Sequence, residues 1–301
     1  MWILLSLLSA FFYAAATMFT KYSVSKVIRD QKGIVLIHAV AAQLLITILW
    51  ILMGRESLAS TQDVILAIIS GALIGFAAIF YFKAFNMEDA SVVTLLTQII
   101  VPMTMIAGIV VLGDSVNWIQ VLAAAIILAG VVISAWSRKG FHLQTTDVIP
   151  VIVIATIITT ALLIISKSVL DRNGTIAFAF HQTIGNVIFG ILITLFVPSI
   201  RKGFKKNMKP FHAKTLLTIL TCEFLYVIAV LTQFKAFTYV NAGLVIAVGA
   251  SEVFIAILLG LLLTKFLPHI IREKVDRRTI GRKIIAGILI VSGIVILNFV
   301  S

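Results

Sequence analysis

Apolar residues run along this chain in long stretches separated by short polar or basic segments. Ten stretches can be marked, at 2–20, 34–53, 64–84, 91–112, 118–137, 148–169, 175–197, 215–237, 242–264 and 280–299. Each is close to the roughly 20 residues that a helix needs to cross a hydrocarbon core of about 30 Å. Backbone groups in lipid must be paired within their own segment, so the runs are predicted to be helices. The fold expected is therefore an all-α integral membrane protein with ten transmembrane helices. Little chain is left for a soluble domain.

The pattern repeats. Phe82-Lys83-Ala84-Phe85 recurs letter for letter as Phe234-Lys235-Ala236-Phe237, an offset of 152. Four letters in so apolar a chain could coincide by chance, so further anchors matter. Lys21 and Lys167 end the first and sixth runs, at an offset of 146. His38 and Gln43 match His181 and Asn186 at 143, and Gly130 matches Gly293 at 163. Ordered agreement along four helix pairs favours duplication of a five-helix unit, covering 1–137 and 146–301. Five crossings per unit turn the second copy upside down relative to the first, and inverted repeats of this kind point to a transporter.

Composition agrees with lipid as the solvent: 61% hydrophobic residues against 12% charged ones. The net charge of +12 would suit nucleic acid, but its distribution argues for a membrane instead. Twenty of the 24 basic residues lie in or beside the odd-numbered loops, and only Arg55, Lys167, Arg172 and Lys235 belong to even ones. By the positive-inside rule the odd loops are expected to be cytoplasmic, with both termini outside. The expected location is the plasma membrane, and no nucleic-acid partner is expected. Basic runs beside membrane helices also attract anionic headgroups, so membrane lipids are expected partners. The stretch from Phe266 to Arg278, with Pro268 and mixed charge, reads as a short amphipathic surface segment. Residues 1–20 lack a basic n-region and are long enough to span, which favours a retained helix over a signal peptide. Cys222 is the single cysteine, so no intrachain disulfide can form.

The run FYFKAFNMEDASVVTLLTQIIVPMTMIAGIVVLGDSVNWIQVLAAAIILAGVVI, residues 80–133, resembles the EamA-like members of the drug/metabolite transporter superfamily. The shared order is an aromatic and basic helix end, a polar turn and a helix with a proline midway. Gly113-Asp114, Gln120 and a glycine-bearing fifth helix then follow. The second half departs from it, with Thr264-Lys265 and a basic insertion at the Gly-acid turn, and Val253 or Phe254 near the proline position. The resemblance implies a cofactor-free carrier of small metabolites, such as amino acids, working by alternating access. It also implies cytoplasmic termini, against the charge pattern.

Polar residues at lipid depth are costly unless they face the bundle interior or a wet cavity. Glu252 lies near the middle of the ninth run and Glu223 slightly before the middle of the eighth. At about 1.5 Å rise per residue their depths differ by roughly one turn. Their approach would favour a shared proton, so both are candidates for proton coupling or for binding a cationic substrate group. A structural, hydrogen-bonded Glu is the competing reading for each. The first half has no counterpart: Gly71 stands for Glu223, and Ile100 or Val101 for Glu252.

Other polar positions fall into stripes that would line the same lumen. The first run carries Ser6, Ser9, Tyr13, Thr17 and Thr20 on one face, the fourth Thr94, Thr97 and Gln98 before Pro102, and the eighth Glu223, Tyr226 and Gln233. Close packing with back-bonding to carbonyls competes for each Ser and Thr. Pro102 is expected to kink its helix. Lys83, Lys235, Lys21 and Lys167 sit near helix ends, where snorkelling explains them better than substrate contact. His38 and His181 read as interfacial hydrogen bonders before proton relays. Gly71 and Gly75 form a GxxxG contact pattern.

The functional expectation is a secondary transporter of a small metabolite, most simply an amino compound, as monomer or homodimer. Glu252, Glu223, Tyr226, Gln98, Thr94, Tyr13 and Ser9 are its candidate site. The alternative is a flippase or transporter for a lipid-linked or phosphorylated substrate, suggested by the basic loops. A membrane enzyme has little support, since HExxH, Walker-type and GxSxG patterns and metal-ligand spacings are all missing from the sequence.

Overall fold

The computed structural model describes residues 1–26, 33–87, 93, 96–135, 147–208, 213–256, 258–259 and 277–300. Among them every regular element is helical. The first three helices are α1 (Trp2–Lys26), α2 (Val35–Leu52) and α3 (Thr61–Met87). A mixed run follows, made of a 3-10 turn at Thr97–Ile99, α4 (Ile100–Ala107) and a π-turn at Gly108–Leu112. Next come α5 (Trp118–Ala135), α6 (Val148–Leu170), α7 (Thr175–Phe196) and α8 (Pro198–Asn207). The last are α9 (Ala213–Phe237), α10 (Ala242–Gly249) and α11 (Arg277–Val300).

Six helices, namely α1, α2, α3, α6, α7 and α9, are long and apolar enough to cross a membrane. Shorter apolar helical runs occupy Thr97–Leu112, Trp118–Ile133, Ala242–Ala256 and Ile284–Val300. This is a multi-pass membrane protein. Its outer surface shows why: Leu4, Leu8 and Phe11 on α1, and Ile284, Ile288, Val291 and Val295 on α11, are exposed at spacings of three and four. Such apolar stripes suit lipid and no aqueous surface. Half of the α6 span is buried, against 28–33% for the other five, so α6 is the central helix.

Packing follows small residues. α1 lies along α9, α3 along α6 and α7, α2 along α7, and α5 along α11. In the last pair a Cβ added to Gly130 would sit 2.9 Å from the Ala286 carbonyl oxygen, and one added to Gly293 would sit 2.8 Å from that of Ala123. Only glycine lets these backbones approach so closely. Gly71 likewise faces the backbone of Gln182, and Gly185 that of Ile68, locking α3 to α7.

Two expectations need correction. The run 91–112 is not one regular α-helix: Pro102 lacks an amide hydrogen and its ring crowds the carbonyl of Gln98, and the 3-10 turn lies just before it. The same run closes on Gly113, whose φ of 70° is left-handed and favours glycine. The run 242–264 is interrupted too. Ser251 N–H donates to Val248 at 3.1 Å and Val253 N–H to Ala250 at 3.3 Å, both three residues back instead of four. The small sequence Gly249-Ala250-Ser251 permits that tightening, and a Cβ on Gly249 would meet nothing within 4 Å. Finally, part of the odd loop between the seventh and eighth runs is helix α8, started by Pro198 at its first turn. Beyond Leu259 the expected ninth helix, and most of the amphipathic segment 266–278, lie outside the described residues.

Candidate functional site

The break in α10 sets the site. The helical turn that resumes at Glu252 aims its carboxylate at α1, where Thr17 Oγ1 donates to Oε1 at 3.3 Å. One turn earlier on α1, the hydroxyl of Tyr13 donates to Gln233 Oε1 on α9 at 3.1 Å. The Tyr13 ring meets Tyr226 edge to face, with centroids 5.5 Å apart. Tyr226 lies within electrostatic range of both Glu223 and Glu252. Three helices thus bring Tyr13, Thr17, Tyr226, Gln233 and Glu252 together.

Glu223 is engaged by a different helix from Glu252. Its carboxylate is bonded to Nδ1 of His38 on α2, with the His38 side chain 20% exposed and that of Glu223 9%. A buried carboxylate takes the strongest donor in reach, and α2 presents a histidine to α9 at this depth. His38 was left outside the candidate residues on sequence grounds, and the structure bonds it to one of them. The signal available was an ionisable group inside a membrane run, discounted for its nearness to a helix start.

The remaining candidates are distributed more widely. Ser9 is buried, at 2% exposure, and Ser6 donates to the Trp2 carbonyl of its own helix. Gln98 is half-buried in the 3-10 turn, which packs against α6. Thr94, and the side chains of Thr20 and Lys21, lie outside the described residues. Lys167 differs from the snorkelling expectation: it is 8% exposed and bonded to Asp171, because a partner one turn away neutralises it in place. Lys83 and Lys235 are exposed, the latter with its Nζ 5.6 Å from the centre of the Tyr239 ring. His181 bonds the Ala177 carbonyl of its own helix.

Polar contacts link loops and helix ends at one end of the bundle. Asp63 accepts from Arg172 Nη2 at 2.6 Å and from Asn173 Nδ2 at 3.1 Å, while Asn173 Oδ1 accepts from the amide of Ala59 at 2.7 Å. Nearby, Asn241 Nδ2 donates to the Ser115 carbonyl at 3.0 Å. All these groups belong to the even-numbered loops or to helix ends beside them. Among the described residues, no group of three or more His, Cys, Asp or Glu side chains gathers to hold a metal.

An all-helical bundle with lipid-facing apolar stripes and a polar centre at a helix break defines a multi-pass membrane protein with an internal polar site. Residues 1–136 match the model of the EamA-like transporter family, a family of the drug/metabolite transporter superfamily. The match indicates a membrane transporter of the drug/metabolite transporter type, and the family's members are transporters rather than enzymes. A solved crystal structure, described only as that of a protein, is similar over 99% of this chain and 96% of its own, with a TM-score of 0.75 at 16% identity. That likeness bears on the fold alone. No curated protein matches the sequence.

Proposed function

We propose that the chain is a secondary transporter of ten membrane helices in two inverted five-helix repeats, 1–137 and 146–301, that carries a small amino compound by alternating access. The observation that carries this reading is Glu252, set directly after an interrupted helix and bonded across to Thr17 of α1. Interrupted helices deep in a bundle are where transporters build substrate and ion sites, because unwound backbone is tolerated only beside a cavity. The carboxylate has one anionic charge to offer. A substrate ammonium and a proton compete for it, so binding one releases the other, and this exchange couples their movements.

Several observations support the repeats. Tyr13 bonds Gln233 between α1 and α9, and Tyr81 bonds Thr159 between α3 and α6, at 3.1 Å in both cases. With the offsets 146 and 152, Tyr13 corresponds to Thr159 and Tyr81 to Gln233. The two bonds are therefore one contact written twice. Gly130 against Ala286 and Gly293 against Ala123 make the same exchange at an offset of 163. Ties at the even-loop end, with exposed Thr17 beside Glu252, favour access from the odd-loop end. The basic bias of the odd loops makes that end cytoplasmic, in the plasma membrane.

The test is flux in liposomes holding the purified protein. Labelled amino compounds should exchange across the membrane, an imposed proton gradient should drive their accumulation, and Glu252→Gln should abolish the gradient response while leaving the protein monodisperse. Native transport with a native pH profile in Glu252→Gln would end the coupling role.

A further inference from the structure

We propose that helix α8, Pro198–Asn207, is a docking site for anionic phospholipid headgroups at the odd-loop surface of the membrane. The sequence Pro-Ser-Ile-Arg-Lys-Gly-Phe-Lys-Lys-Asn divides cleanly along this helix. Arg201, Lys202, Lys205 and Lys206 are all exposed, while Gly203 is buried and Ile200, Phe204 and Asn207 are half-buried. Positions 201, 202, 205 and 206 form one face and 200, 203, 204 and 207 the other, as the 3.6-residue period requires. No acidic residue occurs in the helix. Among the described residues, no ion pair involves its four cations.

The inner face has a firm seat. Gly33, just before α2, presses on the backbone of Gly203 and Phe204, and a Cβ there would lie 2.6 Å from the Gly203 carbonyl oxygen. The helix is thus held by backbone contact, with its cations directed away from the protein. Its place in the chain fixes its depth. It follows α7, which ends at Phe196, and precedes α9, which begins at Ala213, and both of these are long enough to cross the membrane. A short helix between two crossings lies at the interface, where headgroup phosphates are the anions at hand. Each Lys or Arg near an anionic leaflet contributes about 1 kcal/mol of attraction, or about fivefold in affinity. Four on one face make a site rather than a diffuse bias.

The experiment uses the full chain in a neutral detergent, titrated with short-chain phosphatidylglycerol and, separately, phosphatidylcholine. Retained lipid is counted by native mass spectrometry, and thermal unfolding is followed in parallel. Native protein should retain phosphatidylglycerol in preference to phosphatidylcholine and be stabilised by it. Replacing Arg201, Lys202, Lys205 and Lys206 together by Gln should remove that preference, while Lys202→Arg, Lys205→Arg and Lys206→Arg together should keep it. Equal retention in native and Gln-substituted protein would overturn the proposal. So would loss in the Arg-substituted protein, or equal stabilisation by soluble glycerol phosphate, which would assign the site to a free anion.

Discussion

Nδ1 of His38 on α2 is bonded to a carboxylate oxygen of Glu223 on α9, and the other ring nitrogen of His38 is buried without a hydrogen-bond partner. The pair joins two helices from different halves of the chain, and in the proposed repeat Gly71 is the first-half counterpart of Glu223. There, Gly71 presses on the backbone of Gln182. One contact is polar and separable, and its counterpart is dry and tight.

Breaking the pair from the histidine side should cost more than neutralising it. His38→Ala leaves Glu223 buried and without its donor, a loss on the order of 3 kcal/mol for a buried pair. Glu223→Gln keeps an oxygen that can accept from the imidazole, so the loss should be near 1 kcal/mol. Thermal unfolding in detergent compares them. Equal losses would show that the bond contributes little.

What the sequence made legible follows from its physics. Apolar runs of membrane length announce helices whatever their partners, and α1, α2, α3, α6, α7 and α9 lie close to where the runs predict. The partner of Glu223 was hidden because His38 is 185 residues away, and side-chain pairing depends on which helices are neighbours. The break at Ala250–Ser251 was hidden for a different reason. It has no proline, only small residues that tolerate either a regular or a tightened turn. The irregular turn just before Pro102 was legible because a missing amide hydrogen is a property of the residue itself.

The tight face of the bundle gives a sharp prediction. A Cβ on Gly71 would approach the Gln182 carbonyl carbon to 2.8 Å and the Asn186 nitrogen to 2.9 Å, and backbone cannot step aside as a side chain can. Gly71→Ala should therefore destabilise by about 1–3 kcal/mol. Gly281→Ala, where nothing lies within 4 Å, should be neutral or stabilising by up to about 1 kcal/mol. Thermal unfolding of both variants decides it, and a harmless Gly71→Ala would mean that α3 and α7 are not locked.

Asp114, in the turn after the π-turn, gives a pH dependence. Burial raises its carboxyl above the ordinary 3.8, Lys167 pulls it back and Asp171 adds to the rise. A carboxyl raised on folding binds protons more readily in the folded chain than in the unfolded one. Its stabilising contribution is complete below the unfolded value and is lost as pH rises through the folded one. Asp114→Asn should match the native protein near pH 3 and gain on it as pH rises to neutral. Parallel unfolding temperatures across that range would contradict the assignment.

The even-loop ties should govern local opening. Asp63, with a side chain 3% exposed, accepts from both Arg172 and Asn173, so Asp63→Ala strips two donors of their acceptor at once. Arg172 is 55% exposed and recovers solvation, which limits the cost to about 1–2 kcal/mol. The amides of residues 171–174 should exchange hydrogen faster in the variant while those of α6 keep their protection. Unchanged exchange at 171–174 would show that the loop is held by packing alone.

The two bonds that the proposed repeat pairs, Tyr13 to Gln233 and Tyr81 to Thr159, test whether the halves act as mechanical copies. Each crosses from one half to the other, and each is a single neutral hydrogen bond worth about 1 kcal/mol. Tyr13→Phe and Tyr81→Phe should therefore destabilise by similar amounts, and the double variant by their sum, because the bonds share no atoms. Transport should divide them instead. Tyr13 also packs on Tyr226, near Glu252, so Tyr13→Phe should raise the KM for substrate while Tyr81→Phe leaves it near native. Similar stability losses with a KM change confined to Tyr13→Phe would locate substrate contacts on the α1–α9 side of the bundle. A KM change of equal size in both variants would place substrate contacts on both sides of the bundle.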